Sequence, residues 1–142
     1  MIVHGEGSPG HVGDFYEAVS LLFPDELTVY VGSVPAKPEY PYAVLWGDFG
    51  DEVGSSLADL ADELHMRFRV TYVGLRWDAV AWVVSRVRPA LNRVSPVVGG
   101  WLVGKLRQSS LMDMQTDFDV KIPGVGHPVY AVDEFALIAH RH

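Results

Sequence analysis

The sequence predicts an α+β fold, a two-layer sandwich in which two helices pack on one face of a mostly antiparallel sheet. Three observations support this fold class. Two segments, at 14–22 and 76–94, carry apolar residues at helical spacing. Residues 64–73 alternate between apolar and polar, as a strand with one buried face does. The 142 residues suffice for one hydrophobic core but not for two. The predicted order of elements is α-β-β-β-α-β-β.

The N-terminal segment, 1–13, is rich in glycine and poor in apolar groups. We therefore expect a flexible arm there, followed by a single domain over 14–142. The first helix is predicted to begin at Asp14, whose carboxylate caps free backbone N–H groups, and Glu17 completes a capping-box pattern. The apolar stripe of this helix consists of Phe15, Ala18, Val19 and Leu22, and Pro24 marks its end.

Two short strands and an acidic loop follow. Residues 27–31 and 42–46 are β-rich, and the three prolines within 34–41 require an exposed connection between them. Residues 48–63 carry six acidic side chains and no basic one, which predicts an acidic loop, with a helical turn near 57–61.

The clearest strand is 64–73, and the second helix follows it at about 76–94. Pro89 falls within that helix and should confine its last turn. Arginines lie on the other faces of the helix, so it is predicted to be basic outside and apolar inside. The strand residues expected in the core are Leu64, Met66, Phe68, Val70 and Tyr72.

The C-terminal third is predicted to hold two more strands, 101–107 and 130–139. Between them, residues 109–128 alternate apolar and polar side chains and end in a turn-rich break, which predicts an extended hairpin. Exposed apolar groups commonly mark partner surfaces, so we expect the hairpin to contact a partner protein. The hairpin residues expected in that contact are Met112, Met114 and Phe118.

Composition excludes several classes of protein. The net charge of −7 argues against broad binding to nucleic acid or to anionic membranes. The absence of cysteine excludes a disulfide framework and a thiolate zinc site. No apolar run reaches the ~18 residues of a membrane span, and residues 1–10 lack the features of a secretory signal. We therefore expect a soluble, single-domain protein that is made inside the cell.

The motifs for catalysis and cofactor binding are weak. Gly5–Gly10 matches G-x-G-x-x-G, but the pattern needs a preceding strand and a following helix to hold a pyrophosphate, and neither is predicted. The six histidines are scattered, without the spacing of a metal motif. No G-x-S-x-G nucleophile motif occurs, although a serine triad needs only spatial proximity. The prediction is no enzyme activity, no cofactor and no metal.

The more specific interpretation of the charge pattern is that it forms an interface between subunits. Arg67 and Arg69 share the outward face of the best strand, and the acidic loop 48–63 is available to pair with them in a second copy of the chain. Contacts of this head-to-tail kind close into rings. The alternative is a solvated sheet face, or packing within one subunit. The residues predicted for the interface are Arg67, Arg69, Arg86, Arg88, Asp48, Asp51, Glu52, Asp59 and Asp62.

The order of several segments resembles a known family. They are 40–45 (Tyr-Pro-Tyr-Ala-Val-Leu), the acidic loop, 67–74 (Arg-Phe-Arg-Val-Thr-Tyr-Val-Gly), the alanine- and arginine-bearing helix 79–91, and 130–137 (Tyr-Ala-Val-Asp-Glu-Phe-Ala-Leu). Over residues 14–139 the chain resembles the tail terminator proteins of long-tailed bacteriophages, especially those that infect actinobacteria. The resemblance is one of pattern and order, without a catalytic signature.

The resemblance implies a structural role. Members of that family have a small α/β fold and form a hexameric ring on the finished tail tube, at the head-proximal end in the virion. The ring ends tube polymerisation and presents a surface to the head-tail connector, while genomic DNA passes through its lumen without specific binding. The implied partners are further copies of the chain, the tail tube protein and a head-completion or connector protein, with no membrane. Two alternatives remain open: a head-completion or tail-completion protein, and a small hydrolase or ligand-binding α/β domain.

Overall fold

The computed structural model describes residues 2–3, 10–54 and 62–142. Within these ranges it contains two helices and a single eight-stranded sheet. The helices are α1 (Gly10–Ser20) and α2 (Trp77–Leu91). The strands are β1 (Ile2–Val3), β2 (Thr28–Val31), β3 (Tyr42–Gly47), β4 (Asp51–Val53), β5 (Glu63–Gly74), β6 (Trp101–Val103), β7 (Arg107–Thr116) and β8 (Val129–Arg141).

The sheet is mixed but mostly antiparallel. Its strand order is β1-β2-β3-β5-β8-β6, with β4 paired to β5 and β7 paired to β8. Only the β1–β2 and β2–β3 pairs are parallel among the described strands. The predicted fold class, an α+β sandwich with two helices on one face of the sheet, is confirmed. The structure adds β1, β4 and β7 to the predicted order.

The β5–β8 pair forms the centre of the sheet. It runs without a register shift from Glu63, opposite His140, to Gly74, opposite Val129. The predicted inward residues of β5, from Leu64 to Tyr72, are all buried, which confirms the predicted register. Phe68 lies opposite Phe135 in the middle of this ladder. Side chains on this face of the sheet form the core, because both helices pack there.

The two helices contribute a stripe of apolar side chains each to one continuous core. In α2 the stripe is spaced as predicted, and Pro89 lies in the last turn, where the helix ends at Leu91. The buried residues contributed by the helices are Phe15 and Val19 from α1, and Val80, Val83, Val87 and Leu91 from α2.

The predicted start of α1 is wrong. The helix begins at Gly10, so Asp14 lies inside it and does not cap it, and it ends at Ser20, four residues before Pro24. The additional N-terminal turn brings Val12 against the core, and burial of that side chain favours a longer helix than the capping pattern indicated.

The predicted strand 101–107 is also wrong, because two strands occupy that stretch. The chain leaves β6 at Gly104, whose N–H donates to the carbonyl of Ile138 at 2.9 Å. A Cβ on Gly104 would lie 2.8 Å from the same oxygen, so only glycine allows this close approach. Leu106 then exchanges backbone hydrogen bonds with Arg93 and Val94 before β7 begins.

The acidic loop and the N-terminal arm contain more structure than the sequence predicted. Asp51–Val53 form β4 along the edge of β5. Ile2 and Val3 pair in parallel with β2, and the helix occupies 10–13. The predicted helical turn at 57–61 lies outside the described residues, and the mobility of the arm stays a prediction.

Replacing Phe68 tests the core. The Phe68→Ala substitution should lower the free energy of unfolding by about 3–5 kcal/mol, because it removes a fully buried aromatic side chain and leaves a cavity. Phe118→Ala, at a side chain that is 76% exposed, is the matched control and should change stability by less than about 0.5 kcal/mol. Urea unfolding followed by circular dichroism measures both, and equal losses would contradict the assigned core.

Candidate assembly surfaces

The face of the sheet opposite the helices carries the two arginines predicted on β5, Arg67 and Arg69. The Nε atom of Arg69 donates to Glu134 Oε2 at 3.4 Å, and its guanidinium lies 5.4 Å from the centre of the Trp46 ring. The charge of Arg69 is therefore engaged within its own subunit. The Arg67 side chain is exposed, and its backbone N–H donates to Asp48 Oδ1 at 3.0 Å.

The two arginines predicted on the second helix differ in their surroundings. Arg86 is half exposed, stacks on Trp82 at 5.6 Å and lies 3.9 Å from Glu26 Oε1. Exposed ion pairs of this length contribute little and exchange readily for other partners. Arg88, in contrast, forms a close bidentate pair with Asp133 of β8.

The acidic residues predicted for the interface are spread along the turn and edge beside β5. Asp48 accepts the backbone N–H groups of Gly50 and Arg67, and so holds the turn after β3. Asp51 and Glu52 are exposed on β4, and the carbonyl of Asp62 accepts the Arg141 N–H at 2.8 Å. Asp59 lies outside the described residues. The acidic turn and the basic strand face are thus neighbours within one subunit, and pairing between subunits stays a prediction.

The most concentrated electrostatic cluster surrounds Asp133, which is only 2% exposed. Its Oδ1 atom accepts hydrogen bonds from Arg88 Nη2 at 2.9 Å and from Gln108 Nε2 at 3.0 Å. Its Oδ2 atom accepts from the Tyr72 hydroxyl at 2.7 Å and from Arg88 Nε at 2.8 Å. Four donors from β5, α2 and β7 therefore meet on one carboxylate of β8.

These contacts set the ionisation of the cluster. Burial by itself raises the pKa of Asp133, but the hydrogen bonds from Arg88, Tyr72 and Gln108 outweigh it, and the pKa lies below its usual value. Burial and the nearby Asp133 carboxylate raise the pKa of Tyr72 well above its usual value. Asp133 is thus a carboxylate and Tyr72 a neutral donor at neutral pH.

A buried cluster of titratable groups is a recognised candidate for catalysis. Here both carboxylate oxygens already accept two hydrogen bonds each, so no lone pair is directed at a substrate. We therefore assign the Asp133 cluster a structural role. Among the described residues, no three histidine or acidic side chains are grouped as ligands for a metal ion.

The glycine pattern at 5–10 has different surroundings from those the sequence predicted. Strand β1 precedes it and α1 follows it, and β1 pairs in parallel with β2, as in a βαβ unit. The loop itself, 4–9, lies outside the described residues. Within the described part of the chain, no helix has the length and apolar character needed to cross a membrane.

An aromatic groove lies on the face opposite the helices, with a volume of about 300 Å³. The proline-rich connection before β3 borders it on one side, and the segment after β7 borders it on the other. Burial, followed by the neighbouring Tyr40 and Tyr30, raises the pKa of Tyr42 to about 12, so its phenol is neutral. The groove is lined by Val34, Tyr40, Tyr42, Val44, Trp46, Thr71, Val73, Asp117, Val120, Pro128 and Tyr130.

The first part of the segment predicted as a hairpin, 109–128, belongs to β7, which pairs with β8, and apolar side chains of the segment are exposed to solvent. Met114 is 53% exposed and Phe118 is 76% exposed, and Met112 is also exposed. Strand β7 pairs with β8 through two register shifts, one on each side of Met112. Such β-bulges redirect side chains at the edge of a sheet. The exposure expected for the three predicted hairpin residues is therefore found.

The sequence prediction missed two features of these surfaces. Asp133 occupies the core-facing register of β8, between Ala131 and Phe135, and strict alternation along 131–139 would have placed a carboxylate in the core. Trp82 lies on a side of α2 away from the buried stripe, so the apolar periodicity that predicts core residues does not include it.

The fold is shared with a chain from the structure of the virion of a native gene transfer agent (GTA) particle. The TM-score is 0.60 and the sequence identity 14%, over 95% of this chain and 100% of that chain. At this identity the likeness shows a common fold. No protein-family model and no curated protein matches the chain.

Replacing Asp133 tests the buried cluster. Asp133→Ala should lower the free energy of unfolding by about 3 kcal/mol, because it leaves Arg88 and the Tyr72 hydroxyl without their partner. Glu134→Ala, at the next residue, removes a partly exposed ion pair on the other face and should cost only about 0–1 kcal/mol.

The same cluster predicts a dependence on pH. Because the pKa of Asp133 is lowered by folding, its contribution is complete above the unfolded-state value of about 4 and is lost as the pH falls through the folded-state value. The stability difference between wild type and Asp133→Ala should therefore shrink in acid. Urea unfolding at a series of pH values measures it, and a constant difference would contradict the ion pair.

Proposed function

We propose that this protein is a structural component of a phage-like virion, and specifically a tail terminator that caps the completed tail tube as a homohexameric ring. The observation that carries the proposal is the fold shared, over nearly its whole length, with a chain of a gene transfer agent virion. The resemblance of residues 14–139 to phage tail terminators supports the same role.

The character of the described surfaces also supports an assembly role. The one highly concentrated charge cluster among the described residues is buried and saturated with hydrogen bonds. Several exposed apolar side chains, in contrast, lie on β7 and the segment that follows it, among them Met112, Met114 and Phe118. Large exposed apolar groups beside charged ones are typical of surfaces that bind other proteins.

The charge of the chain suits a ring that surrounds DNA. Six copies at −7 each would carry six times that charge, or −42. An acidic lumen repels phosphate, whereas a basic lumen would bind DNA and hold it in place. Under this proposal genomic DNA passes through the ring without specific binding, at the head-proximal end of the tail.

Two other functions remain as alternatives with different partners. A head-completion or connector protein would occupy the same junction but bind the portal side instead of the tail tube. A ligand-binding domain is the alternative of another class, and the aromatic groove, at about 300 Å³, is of the size of small-molecule sites.

The decisive experiment is co-assembly with purified tail tube protein. Tubes grown with this protein should stop at a defined end that carries a ring, as seen by electron microscopy, and immunogold labelling should place the protein at the head-proximal end of tails. Tubes of unchanged length and without a terminal ring would contradict the tail-terminator role. Binding only to the portal-side connector would favour a head-completion protein.

The predicted ionic contact between subunits is tested at Arg67, the arginine of the strand face whose side chain is exposed. Arg67→Glu should slow ring formation while leaving the stability of the subunit unchanged, because it places an acidic group opposite the neighbour's acidic turn. Asp51→Lys in the same chain should partly restore the rate. Electron microscopy and thermal unfolding provide the two measurements.

Arg69→Glu is the informative comparison for this prediction. It should destabilise the subunit itself, since Arg69 already contacts Glu134 and Trp46. If Arg67→Glu forms rings at the wild-type rate, the predicted contact between Arg67 and the acidic turn of a neighbour is wrong.

A further inference from the structure

The floor of the aromatic groove is built from side chains that face away from the helices on three paired strands. One cross-strand row runs from Tyr42 of β3 through Val73 of β5 to Tyr130 of β8. The row beside it places Val44 directly opposite Thr71. All of these residues line the groove. Because hydrogen-bonded strands hold the floor, its shape is set before a ligand arrives, which lowers the entropic cost of binding.

Two segments outside these strands form the walls of the groove. The proline-rich connection before β3 contributes Val34 and Tyr40, and the segment after β7 contributes Asp117 and Val120. The second wall is tied to the start of β8, because the Asp117 N–H donates to the Pro128 carbonyl at 2.9 Å. The groove is therefore formed completely within one subunit.

Aromatic rings surround the groove on several sides. Tyr40 and Tyr42 have ring centres 5.3 Å apart and planes inclined by 55°, so the two rings meet at an angle instead of stacking flat. Trp46 and Tyr130 complete the aromatic lining. The face of an aromatic ring carries partial negative charge and attracts cations. The Arg69 guanidinium, 5.4 Å from the centre of the Trp46 ring, is an example within the subunit.

The residues that line the groove include one charged side chain, that of Asp117. Its Oδ1 atom accepts the Asp119 N–H at 3.1 Å, and within the described part of the chain its Oδ2 atom has no hydrogen-bond or ion-pair partner. Burial raises the pKa of Tyr42 to about 12, and the neighbouring tyrosines and the charge of Asp117 add to this effect. The carboxylate therefore acts on the phenol at the floor of the groove.

This lining selects for a cation on an aliphatic stem. The carboxylate and the ring faces attract positive charge, whereas the lining offers no cation that would attract an anion. The side chains of Val44 and Val73 provide an apolar surface for methylene groups. A guanidinium suits such a site better than an ammonium, because it is planar, stacks on aromatic rings and is less strongly hydrated.

The surroundings of the groove favour a protein as the source of this cation. Phe118, next to Asp117, is 76% exposed. Met112, also exposed, lies opposite Val132, whose neighbour on β5 is Thr71 in the groove. Protein interfaces commonly place an arginine of one partner in a pocket that contains tyrosine or tryptophan, with apolar contacts around it that exclude water.

We infer that the aromatic groove is a binding site for an arginine side chain of a partner protein. The guanidinium pairs with Oδ2 of Asp117 and lies against the rings of Tyr42 and Tyr130, while the methylene stem contacts Val73. This inference goes beyond the proposed function, because the site is complete in a single subunit and does not require a ring.

A pair of peptides tests the chemistry of the site on the full-length protein. A capped tripeptide with a central arginine should bind with a Kd on the order of 1 mM. The same peptide with citrulline, which has the shape of arginine but no charge, should bind at least about tenfold more weakly. Ligand-observed NMR titrations measure both affinities, whatever the oligomeric state of the protein.

Substitutions in the protein locate the binding. Asp117→Asn removes the charge but keeps an oxygen that can accept the Asp119 N–H, and it should weaken binding of the arginine peptide at least about fivefold. Asp119→Asn, which removes the same charge at an exposed side chain outside the lining, is the matched control and should leave the affinity unchanged. Tyr130→Leu, which removes a ring but keeps an apolar side chain, should also weaken binding. Thermal unfolding verifies that each variant is folded.

Four results would overturn the inference. They are no binding of the arginine peptide, equal binding of the citrulline peptide, equal losses in Asp117→Asn and Asp119→Asn, and binding of butylguanidinium without binding of the peptide. The last result would show that the groove admits a free small cation but not a polypeptide. Each of them leaves the tail-terminator role untouched, since that role is tested by the capping of tail tubes.

Discussion

The buried carboxylate of Asp133 constrains the arrangement of the C-terminal half of this protein. Its hydrogen-bond donors come from β5, from α2 and from β7, so one side chain of β8 sets the position of three other elements. An unpartnered carboxylate in this position would be strongly unfavourable, and an arrangement that shifts α2 or slides β7 along β8 is penalised accordingly. Because β7 carries the exposed Met112 and Met114, the same network also positions those side chains. The position of these exposed side chains, which we expect to contact a partner, therefore depends on a charge in the core.

The fold class and the central strand could be predicted because their sequence signals are local and strong. In β5 the alternation of apolar and polar residues up to Tyr72 matches the alternation of buried and less buried side chains in the structure, because each apolar residue faces the core. The break in the predicted strand 101–107 could not be predicted in the same way. It depends on the approach of Gly104 to the Ile138 carbonyl, a contact between residues far apart in sequence. The longer α1 has a similar origin, because the start of the helix is favoured by packing of Val12 against the core and not by the capping pattern at Asp14.

The candidate surfaces were predictable only where exposure follows from sequence alone. The exposure of Met114 and Phe118 was predicted correctly, since no element in the predicted order covers an extended hairpin. Charge counting was less informative about the arginines. Arg69 and Arg88 carry the same charge as Arg67, but each of them pairs with an acidic residue of β8. The spacing of residues in the sequence does not indicate which arginine pairs with which carboxylate.

The fold and the proposed interface depend on charges in different environments. The Asp133 carboxylate is buried and hydrogen bonded, so dissolved ions screen its attraction to Arg88 weakly. Arg67 and the acidic side chains of β4 are solvent-exposed, and an attraction between copies through these groups would be screened within about 8 Å at physiological ionic strength. In the proposed ring, charge on these surfaces would direct which faces meet, whereas apolar contacts would supply most of the affinity. In that ring, this separation would allow the subunit to remain stable by itself while its association responds to concentration and to ionic strength.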